Sequence, residues 1–264
     1  MNYFSISEPT CISFSGGRTS AYMLYKVLEA HQMNLPANVF VCFANTGKEN
    51  EATLEFVRDC SINWNVPIVW LEYATNNQKF ITSNFLTAAR NGEPFSKLIE
   101  KRSFLPNSVM RFCTGELKIL TIERYFKSLG IEEFETMVGI RADEPKRIVK
   151  MRETKLMPLA QTGTTQTEVQ NFWKNNSFDL KLPFFDGVTV DGNCDLCFMK
   201  PMHQVLSMIA NKPEKAIWWA KQEKLIGGRF SKDRPTYEQM LNFTKEQIDM
   251  FDPKEEAISC FCGD

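Results

Sequence analysis

The chain has 264 residues, 43% of them hydrophobic, and can therefore bury the core of one large domain or of a domain with an appendage. No apolar run approaches the roughly 20 residues of a membrane span, and the N-terminus lacks the basic and apolar segments of a secretory signal, so we expect a cytoplasmic protein with no membrane partner. The formal net charge of −1 gives no overall positive field for nucleic acid, which only a local basic patch could bind, and favours a small substrate.

The first predicted strand, Cys11–Phe14, runs into the sequence SGGRTS, and a helix follows from about Ala21. Two adjacent glycines allow a tight turn, and a helix that starts there directs N–H groups and its positive dipole end at a bound anion. Hydroxyl groups and a guanidinium add further donors for phosphate oxygens. The pattern predicts a pyrophosphate-binding loop that is not of the Walker type, with a plain strand-to-helix turn as the alternative. The predicted loop residues are Ser15, Gly16, Gly17, Arg18, Thr19 and Ser20.

The next predicted strand, Val39–Phe43, leads into a second polar loop. Because the carboxyl ends of parallel strands meet at one edge of a sheet, we expect Asn45, Thr46 and Gly47 to lie beside the first loop and to approach a nucleotide closely. The same residue types are also common in ordinary turns. A third strand, Ile68–Leu71, follows a helix whose predicted apolar face consists of Leu54, Val57, Cys60 and Ile62.

Residues 76–107 have poor periodicity and many polar side chains, which predicts an irregular excursion around the site. The segment 111–118 then opens a helix that Gly130 ends. The apolar positions of that helix are Leu117, Leu120, Ile122, Tyr125 and Leu129.

A strand over Phe134–Ile140 follows, and the cation-rich run 142–155 lies immediately beyond its end. A charge run is usually a solvated face, but this one is well placed to bind phosphate or sulfate. Met157–Leu159 reads as a last strand, and Thr165–Glu168 as a capping box that starts a helix.

Strands that alternate with helices of this length predict an α/β fold, in which a Rossmann-like parallel sheet is flanked by helices over residues 1–185. Ligands of such folds bind at the carboxyl ends of the strands, where both polar loops lie. Near Pro183 the pattern changes to loop and then to helices, which predicts a helical, cysteine-bearing C-terminal region over residues 186–264. The sequence leaves the oligomeric state open, a homodimer included.

The eight cysteines fall into two groups. Cys11, Cys42 and Cys60 lie in predicted strands or on an apolar helix face, where cysteine packs as a small hydrophobic residue. The others lie in loops, and because cytoplasmic thiols stay reduced, their clustering favours metal binding or catalysis over disulfides. Two thiolates spaced Cys-x-x-Cys can chelate one ion, and a zinc or iron–sulfur site needs about four ligands. The candidate ligands are Cys113, Cys194, Cys197, Cys260 and Cys262.

Five motifs, SFSGGRTS, FANTGKE, RFCTGELKI, VGIRADEPKR and GNCDLCF, occur in the order found in one known family and span residues 13–198. On these motifs the chain resembles the phosphoadenosine phosphosulfate (PAPS) reductase-like family of the PP-loop ATP pyrophosphatase superfamily, and within it a bacterial and phage branch with a cysteine-ligated cluster. The resemblance implies an adenine nucleotide alpha hydrolase-like fold and an adenosine site that includes the NTG element with Glu49. The SGGxxS loop suits ATP, although Arg18 and Thr19 replace the Lys and Asp often seen in ATP-using relatives.

The resemblance also implies the kind of metal centre. Adenylylsulfate reductases carry a cysteine pair in mid-chain, a Cys-x-x-Cys further on and a nucleophilic cysteine near the C-terminus, and the cysteines of this chain follow a similar order. On this likeness a [4Fe–4S] cluster is expected, with zinc as the alternative. The chain departs from the pattern by having Cys113 in place of the pair, so Cys260 or Cys262 would supply the missing ligand.

The sequence leaves three functions open. In the first, which we expect, an acceptor oxygen attacks the α-phosphate of ATP, and the reaction serves sulfur transfer or activation of the acceptor. Gly139 would contribute to nucleotide binding, and a sulfur donor protein would be a partner. Mg²⁺ and the charges of Arg18, Lys48 or Arg141 would stabilise the leaving pyrophosphate. In the second, the thiolate of Cys262 attacks the sulfur of adenylylsulfate or PAPS, and thioredoxin resolves the S-sulfonated enzyme. In the third, the protein is a nucleotide sensor without enzymatic activity, stabilised by zinc or a cluster.

Overall fold

A computed structural model describes residues 2–185 and 188–246. Its centre is a five-stranded sheet in the order β4-β3-β2-β1-β5, in which four strands run parallel and β4 pairs antiparallel with β3. The predicted α/β fold with a flanked, mostly parallel sheet is confirmed. The strands are β1 Thr10–Ser13, β2 Val39–Asn45, β3 Ile68–Tyr73, β4 Phe80–Ser83 and β5 Glu135–Val138, with a separate hairpin of β6 Phe184–Phe185 and β7 Val188–Thr189. The helices are α1 Arg18–Ala30, α2 Glu51–Asn63, α3 Glu93–Arg102, a π-helix Thr114–Ile119, α4 Leu120–Ser128, α5 Pro145–Met151, α6 Pro158–Gln161, α7 Gln166–Asn175, α8 Met202–Asn211, α9 Glu214–Ile226 and α10 Tyr237–Glu246.

The sheet is covered on both faces, because its strands direct alternate apolar residues into two cores. Ile12 and Phe14 pack with α1, α2 and α7, whereas Cys11 and Cys42 pack on the other face with α4. Each large apolar side chain buried in this way contributes about 1.5–3 kcal/mol. Cys11, Cys42 and Cys60 are buried, as expected of packing cysteines, and burial raises the pKa of the Cys60 thiol.

A further core joins the C-terminal helices to the segment before them. Trp219 of α9 lies at its centre and contacts Phe95 of α3, Phe230 and Tyr237. Leu117 of the π-helix is buried in the same cluster. The apolar faces of α8, α9 and α10 are therefore covered partly by residues that precede position 186.

Two local predictions are confirmed. Glu168 accepts the backbone N–H of Thr165 at 2.8 Å in the predicted capping box at the start of α7. Helix α4 ends at Ser128, and Gly130 follows with φ +77°, the left-handed conformation that favours glycine beyond a helix end. No helix within residues 2–185 and 188–246 is long and apolar enough to span a bilayer.

Three other predictions are wrong. Residues 76–107 contain β4 and α3, which the sequence pattern hides because β4 is a short edge strand in which only Phe80 is buried. Met157–Leu159 is not a strand, since a single helical turn begins at Pro158, and the neighbouring Leu156 forms a parallel bridge to β5 instead. Ile62 is 68% exposed and does not belong to the apolar face of α2.

Two carboxylates have pKa values shifted in opposite directions. Burial raises the pKa of Glu223 above 4.5, although two backbone N–H groups donate to this carboxylate and oppose the rise. Burial acts in the same upward direction on Glu116, but hydrogen bonds from Arg124 and Arg102 outweigh it and lower the pKa below 4.5. Glu223 therefore contributes stability below pH 4.5 that is lost as the pH rises through its folded pKa, whereas the contribution of Glu116 is present above pH 4.5 and is lost as the pH falls.

These shifts predict opposite pH dependences for two conservative variants. Between about pH 4 and about pH 7, Glu223→Gln should gain stability relative to the wild type as the pH rises, and Glu116→Gln should lose it. Urea unfolding of the three proteins at both pH values measures the difference. A change of the same sign in both variants would contradict the assigned shifts.

Candidate functional site

The loop between β1 and α1 has the geometry of an anion-binding turn. Gly16 has φ +78°, and a Cβ there would lie 2.6 Å from Cγ2 of Thr53, so the loop requires glycine. Gly17 is the N-cap residue of α1, and no side chain of the described residues caps the helix there, so its first turn can donate N–H groups to an anion. The hydroxyl oxygens of Ser15 and Ser20 lie 2.9 Å apart at the same point.

Strand β5 meets this loop at Gly139. A Cβ at Gly139 would lie 2.9 Å from Cα of Ser20, so the missing side chain lets the end of β5 contact the start of α1. Strands β5 and β1 pair in parallel, with Val138 opposite Ser13. The ends of β1 and β5 therefore lie at one edge of the sheet, as the parallel topology predicts.

A cavity of about 570 Å³, here called the large cavity, opens at this edge and has a volume typical of small-molecule sites. Its walls come from the loop after β1, the end of β5, the π-helix and α5. Ser15, Ser20 and Gly139 lie in the lining, so the predicted loop and the end of β5 open onto one space. Its apolar lining includes Phe14, Ala44, Val109, Ile119, Ile122, Phe134, Val138, Met151 and Met199.

The lining of the large cavity is cationic, although the chain as a whole has a net charge of −1. Glu123 is the single carboxylate among the described lining residues. Arg147 is 8% exposed and donates to Glu144 at 2.6 Å, while its Nε atom has no hydrogen-bond partner in the described part of the chain. This Nε is itself closed to solvent and is not a contact point for a ligand, so the suitability of the cavity for an anion rests on the positive charge of its lining. The lining cations are Arg111, Lys118, Arg147, Lys150 and Lys155.

The π-helix connects the large cavity to a second space, here called the thiol cavity. π-helical turns are rare and often occur at functional sites, because the wider turn redirects its side chains. Arg111, Thr114 and Lys118 line both cavities and form a shared wall. The thiol cavity has a volume of about 20 Å³, and its lining includes Cys113, Cys194 and Cys197.

Three of the predicted cysteine ligands line the thiol cavity, but its volume of about 20 Å³ holds little more than one water molecule, so a cluster would require this space to widen. Thiolates are the usual ligands of iron–sulfur clusters and of structural zinc. Within residues 2–185 and 188–246, no three His, Cys, Asp or Glu side chains lie close enough together to hold an ion. Cys260 and Cys262, the other predicted ligands, lie outside the described residues. The donor set is therefore suitable in chemistry, and its completion remains a prediction.

The loop after β2 contacts the cysteine turn and does not line the large cavity. Asn45, Thr46 and Gly47 are all buried, and Oγ1 of Thr46 lies 3.4 Å from Sγ of Cys194. Asn45 donates to Glu72 at 2.7 Å and accepts the N–H of Gly47 at 3.0 Å. These contacts join the loop to neighbouring segments of the protein, and none of the three residues lines the large cavity. The structure therefore does not support the predicted approach of this loop to a nucleotide in that cavity.

The three cations predicted to stabilise phosphate charge have carboxylate partners elsewhere. Arg18 forms two hydrogen bonds of 2.8 Å to Asp179. Lys48 pairs with Asp195 at 3.3 Å, and burial raises the pKa of Asp195 against the opposing charge of Lys48. Arg141 pairs with a carboxylate of its own loop at 2.9 Å. None of these three cations lies in the described lining of the large cavity.

Sequence reasoning missed the individual cations that do line the large cavity. The run 142–155 is singled out as a segment, but its members differ in position: Arg147 and Lys150 lie in the lining, whereas Arg152 is exposed and does not. The available signal was spacing, since residues three apart share a helix face. Arg111 and Lys118 flank Cys113, and only the π-helical geometry shows that they face the same cavity.

No family model matches the chain. The chain is similar to the uncharacterized nin region protein ORF290 of Escherichia phage lambda, with 29% identity over 226 residues. The matched region covers 82% of this chain and 74% of that protein. Because that relative is itself uncharacterized, a functional conclusion has to rest on the chemistry of the two cavities.

Proposed function

We propose that the protein binds ATP in the large cavity and uses it for sulfur transfer or for activation of an acceptor, with AMP and pyrophosphate as products. The main support is the charge of the large cavity, which begins at the Ser15–Ser20 loop and whose described lining has five arginine and lysine residues and one carboxylate. The first turn of α1 and the hydroxyls of Ser15 and Ser20 are suitable donors for phosphate oxygens. A volume of about 570 Å³ lies within the range of nucleotide-sized sites.

The proposed reaction is a substitution at the α-phosphorus. An acceptor oxygen forms a bond to this atom and loses its proton, while the bond to the bridging oxygen breaks and pyrophosphate leaves. Sulfur from a donor then displaces AMP from the activated acceptor. Fixed cations near a leaving group stabilise the charge that develops on it, and Arg111, Arg147 and Lys150, which line the large cavity, would do so here. Mg²⁺ would enter bound to the triphosphate, because Glu123 is the single carboxylate of the described lining.

The thiol cavity supports an inorganic centre beside the nucleotide. Cys113, Cys194 and Cys197 would supply thiolates to an iron–sulfur cluster of the expected [4Fe–4S] type, with Cys260 or Cys262 as a further ligand, and would have to come closer together than they are in this structure. When bound, such a cluster would hold a sulfur atom or position the acceptor. Because the two cavities share lining residues, such a centre would lie next to the proposed phosphate site.

The position of the thiols next to the large cavity also favours a second candidate activity, the reduction of adenylylsulfate or PAPS. A thiolate, for which Cys262 is the predicted residue, attacks the sulfur atom. An S–S bond forms, the S–O bond to the nucleotide breaks, and the nucleotide leaves with the electron pair. The dithiol of thioredoxin then releases sulfite and is oxidised to a disulfide.

Parallel assays on anaerobically purified protein distinguish the two activities. Pyrophosphate release is measured with ATP, Mg²⁺ and a sulfide donor, and sulfite release is measured with adenylylsulfate or PAPS and reduced thioredoxin. Pyrophosphate without sulfite supports the proposed function, and sulfite supports the reductase. No adenylate affinity in calorimetry, together with neither product, overturns both and leaves a protein without nucleotide chemistry.

Arg147→Met should weaken ATP binding about 10- to 150-fold, because a hydrogen bond to a charged group contributes about 1.5–3 kcal/mol. Arg152→Met is the matched control, since it removes the same charge from the end of α5 but from an exposed position outside the lining. Calorimetric titration with a non-hydrolysable ATP analogue measures both affinities. Equal losses would show that total charge, and not this guanidinium, determines the affinity.

A further inference from the structure

The turn Cys194–Cys197 is attached to the loop after β2 through backbone contacts. Glu49 and Cys194 form an isolated antiparallel bridge, and the N–H of Asp195 donates to the carbonyl of Lys48 at 2.6 Å. Two of the three thiols that line the thiol cavity, Cys194 and Cys197, are thus carried by a segment that pairs with the loop after β2.

A buried ion pair lies at the centre of this attachment. Nζ of Lys48 is 3.3 Å from Oδ2 of Asp195, and the two side chains are 5% and 8% exposed. The other carboxylate oxygen, Oδ1, accepts from Nε1 of Trp219 at 3.0 Å, and the ammonium lies 4.9 Å from the ring centre of Trp218. Because desolvation of two charges costs about as much free energy as their attraction returns, such a pair is a poor source of net stability.

The cysteine turn itself is conformationally strained. Leu196 has φ +46°, a left-handed conformation that a leucine rarely adopts, and the preceding Asn193, a residue type that tolerates this region, has φ +59°. Strain of this kind persists only where surrounding contacts fix the backbone. The contacts that hold this turn include the ion pair with Lys48, the hydrogen bond from Trp219 to Asp195, and the hydrogen bond from the hydroxyl of Tyr237 to the carbonyl of Leu196.

We propose that the Lys48–Asp195 ion pair is a positioning element that fixes Cys194 and Cys197 in their orientation toward the thiol cavity. Neither charged residue touches the substrate in this assignment, which replaces the phosphate-binding role expected of Lys48. The role of the two ordered thiols as metal ligands rests on the proposed function. Their ordering depends on neither nucleotide nor metal, because every contact that produces it lies within the chain.

The double variant Lys48→Met/Asp195→Asn tests this role, because it removes both charges together and its amide still accepts from Nε1 of Trp219, so global stability should stay nearly unchanged. Without the pair the strained turn should open more often, so iodoacetamide should alkylate Cys194 and Cys197 at least about tenfold faster in the metal-free protein. The urea midpoint should stay unchanged. Cys60, buried in α2, is the internal control and should keep its rate, with all rates read by mass spectrometry of the peptides.

Unchanged alkylation of the two thiols at an unchanged midpoint overturns the proposal. A lower midpoint with Cys60 exposed in parallel also overturns it, since the pair would then support the fold as a whole. If the double variant does not fold, Lys48→Leu/Asp195→Asn gives the same test, because it also removes both charges and keeps an acceptor for Trp219. These measurements need no ATP and no iron, so they stay informative if the proposed activity fails.

Discussion

Replacing Gly16 with alanine is expected to lower the free energy of unfolding by about 2–5 kcal/mol and to abolish nucleotide binding. The left-handed conformation at φ +78° costs a residue with a Cβ about 1–2 kcal/mol. The added Cβ would also lie 2.6 Å from Cγ2 of Thr53 and 3.1 Å from Cγ2 of Val57. Both neighbours are β-branched and buried in α2, so their side chains can move little. The overlap should therefore cost about a further 1–3 kcal/mol.

Gly130→Ala separates the two costs. Gly130 has nearly the same φ, +77°, but no atom of the described residues lies within 4 Å of where its Cβ would be. This control should therefore lose only about 1–2 kcal/mol and retain nucleotide affinity. Urea unfolding and calorimetry of both variants under one set of conditions provide the comparison. An equal loss of stability would show that contact with α2 does not determine the shape of the loop.

Alanine at Cys194 or at Cys197 is expected to remove essentially all iron from protein purified anaerobically, together with its visible absorption. A cluster needs about four thiolate ligands, and the loss of one member of a chelating pair leaves too few. Cys113→Ala should have the same effect, because this thiol lines the same cavity. Cys60→Ala is the control and should retain iron, since Cys60 lies in the core between the sheet and α2.

Cys260→Ala and Cys262→Ala distinguish the two roles expected of the C-terminal cysteines. Loss of iron identifies a ligand, and loss of turnover with iron retained identifies a nucleophile. Iron analysis, acid-labile sulfide and product assays on the same preparations measure both. Full iron content in the Cys194 and Cys197 variants would refute the cluster site, and stoichiometric zinc in its place would correct the identity of the metal.

Features governed by local chemistry could be predicted from the sequence. The run Val39–Phe43 is short, β-branched and apolar, so it predicts a buried parallel strand, and β2 contains it. The glycines of the first loop predict a tight turn, and Gly16 indeed requires a left-handed backbone. Gly139 was singled out by its position at a strand end, and the close approach to Ser20 gives the physical reason for a glycine there.

Features that depend on tertiary contacts could not be predicted from the sequence. Asn45, Thr46 and Gly47 lie at the end of a parallel strand, where a ligand is expected, but Thr46 contacts the cysteine turn and Asn45 donates to Glu72 instead. The pairing of Lys48 with Asp195 joins positions 147 residues apart, and only the fold shows it. Nor does the sequence distinguish a buried Arg147 from the exposed Arg152 one turn later.

The shared wall of Arg111, Thr114 and Lys118 has a thermodynamic consequence for every measurement on this protein. If an occupant of one cavity shifts these side chains, the resulting coupling free energy must change the affinity of the other occupant by the same factor. Iron retention measured with and without adenylate, and adenylate affinity measured with and without iron, should therefore differ by one common ratio. A dissociation constant for either ligand has a defined meaning only when the occupancy of the other is stated.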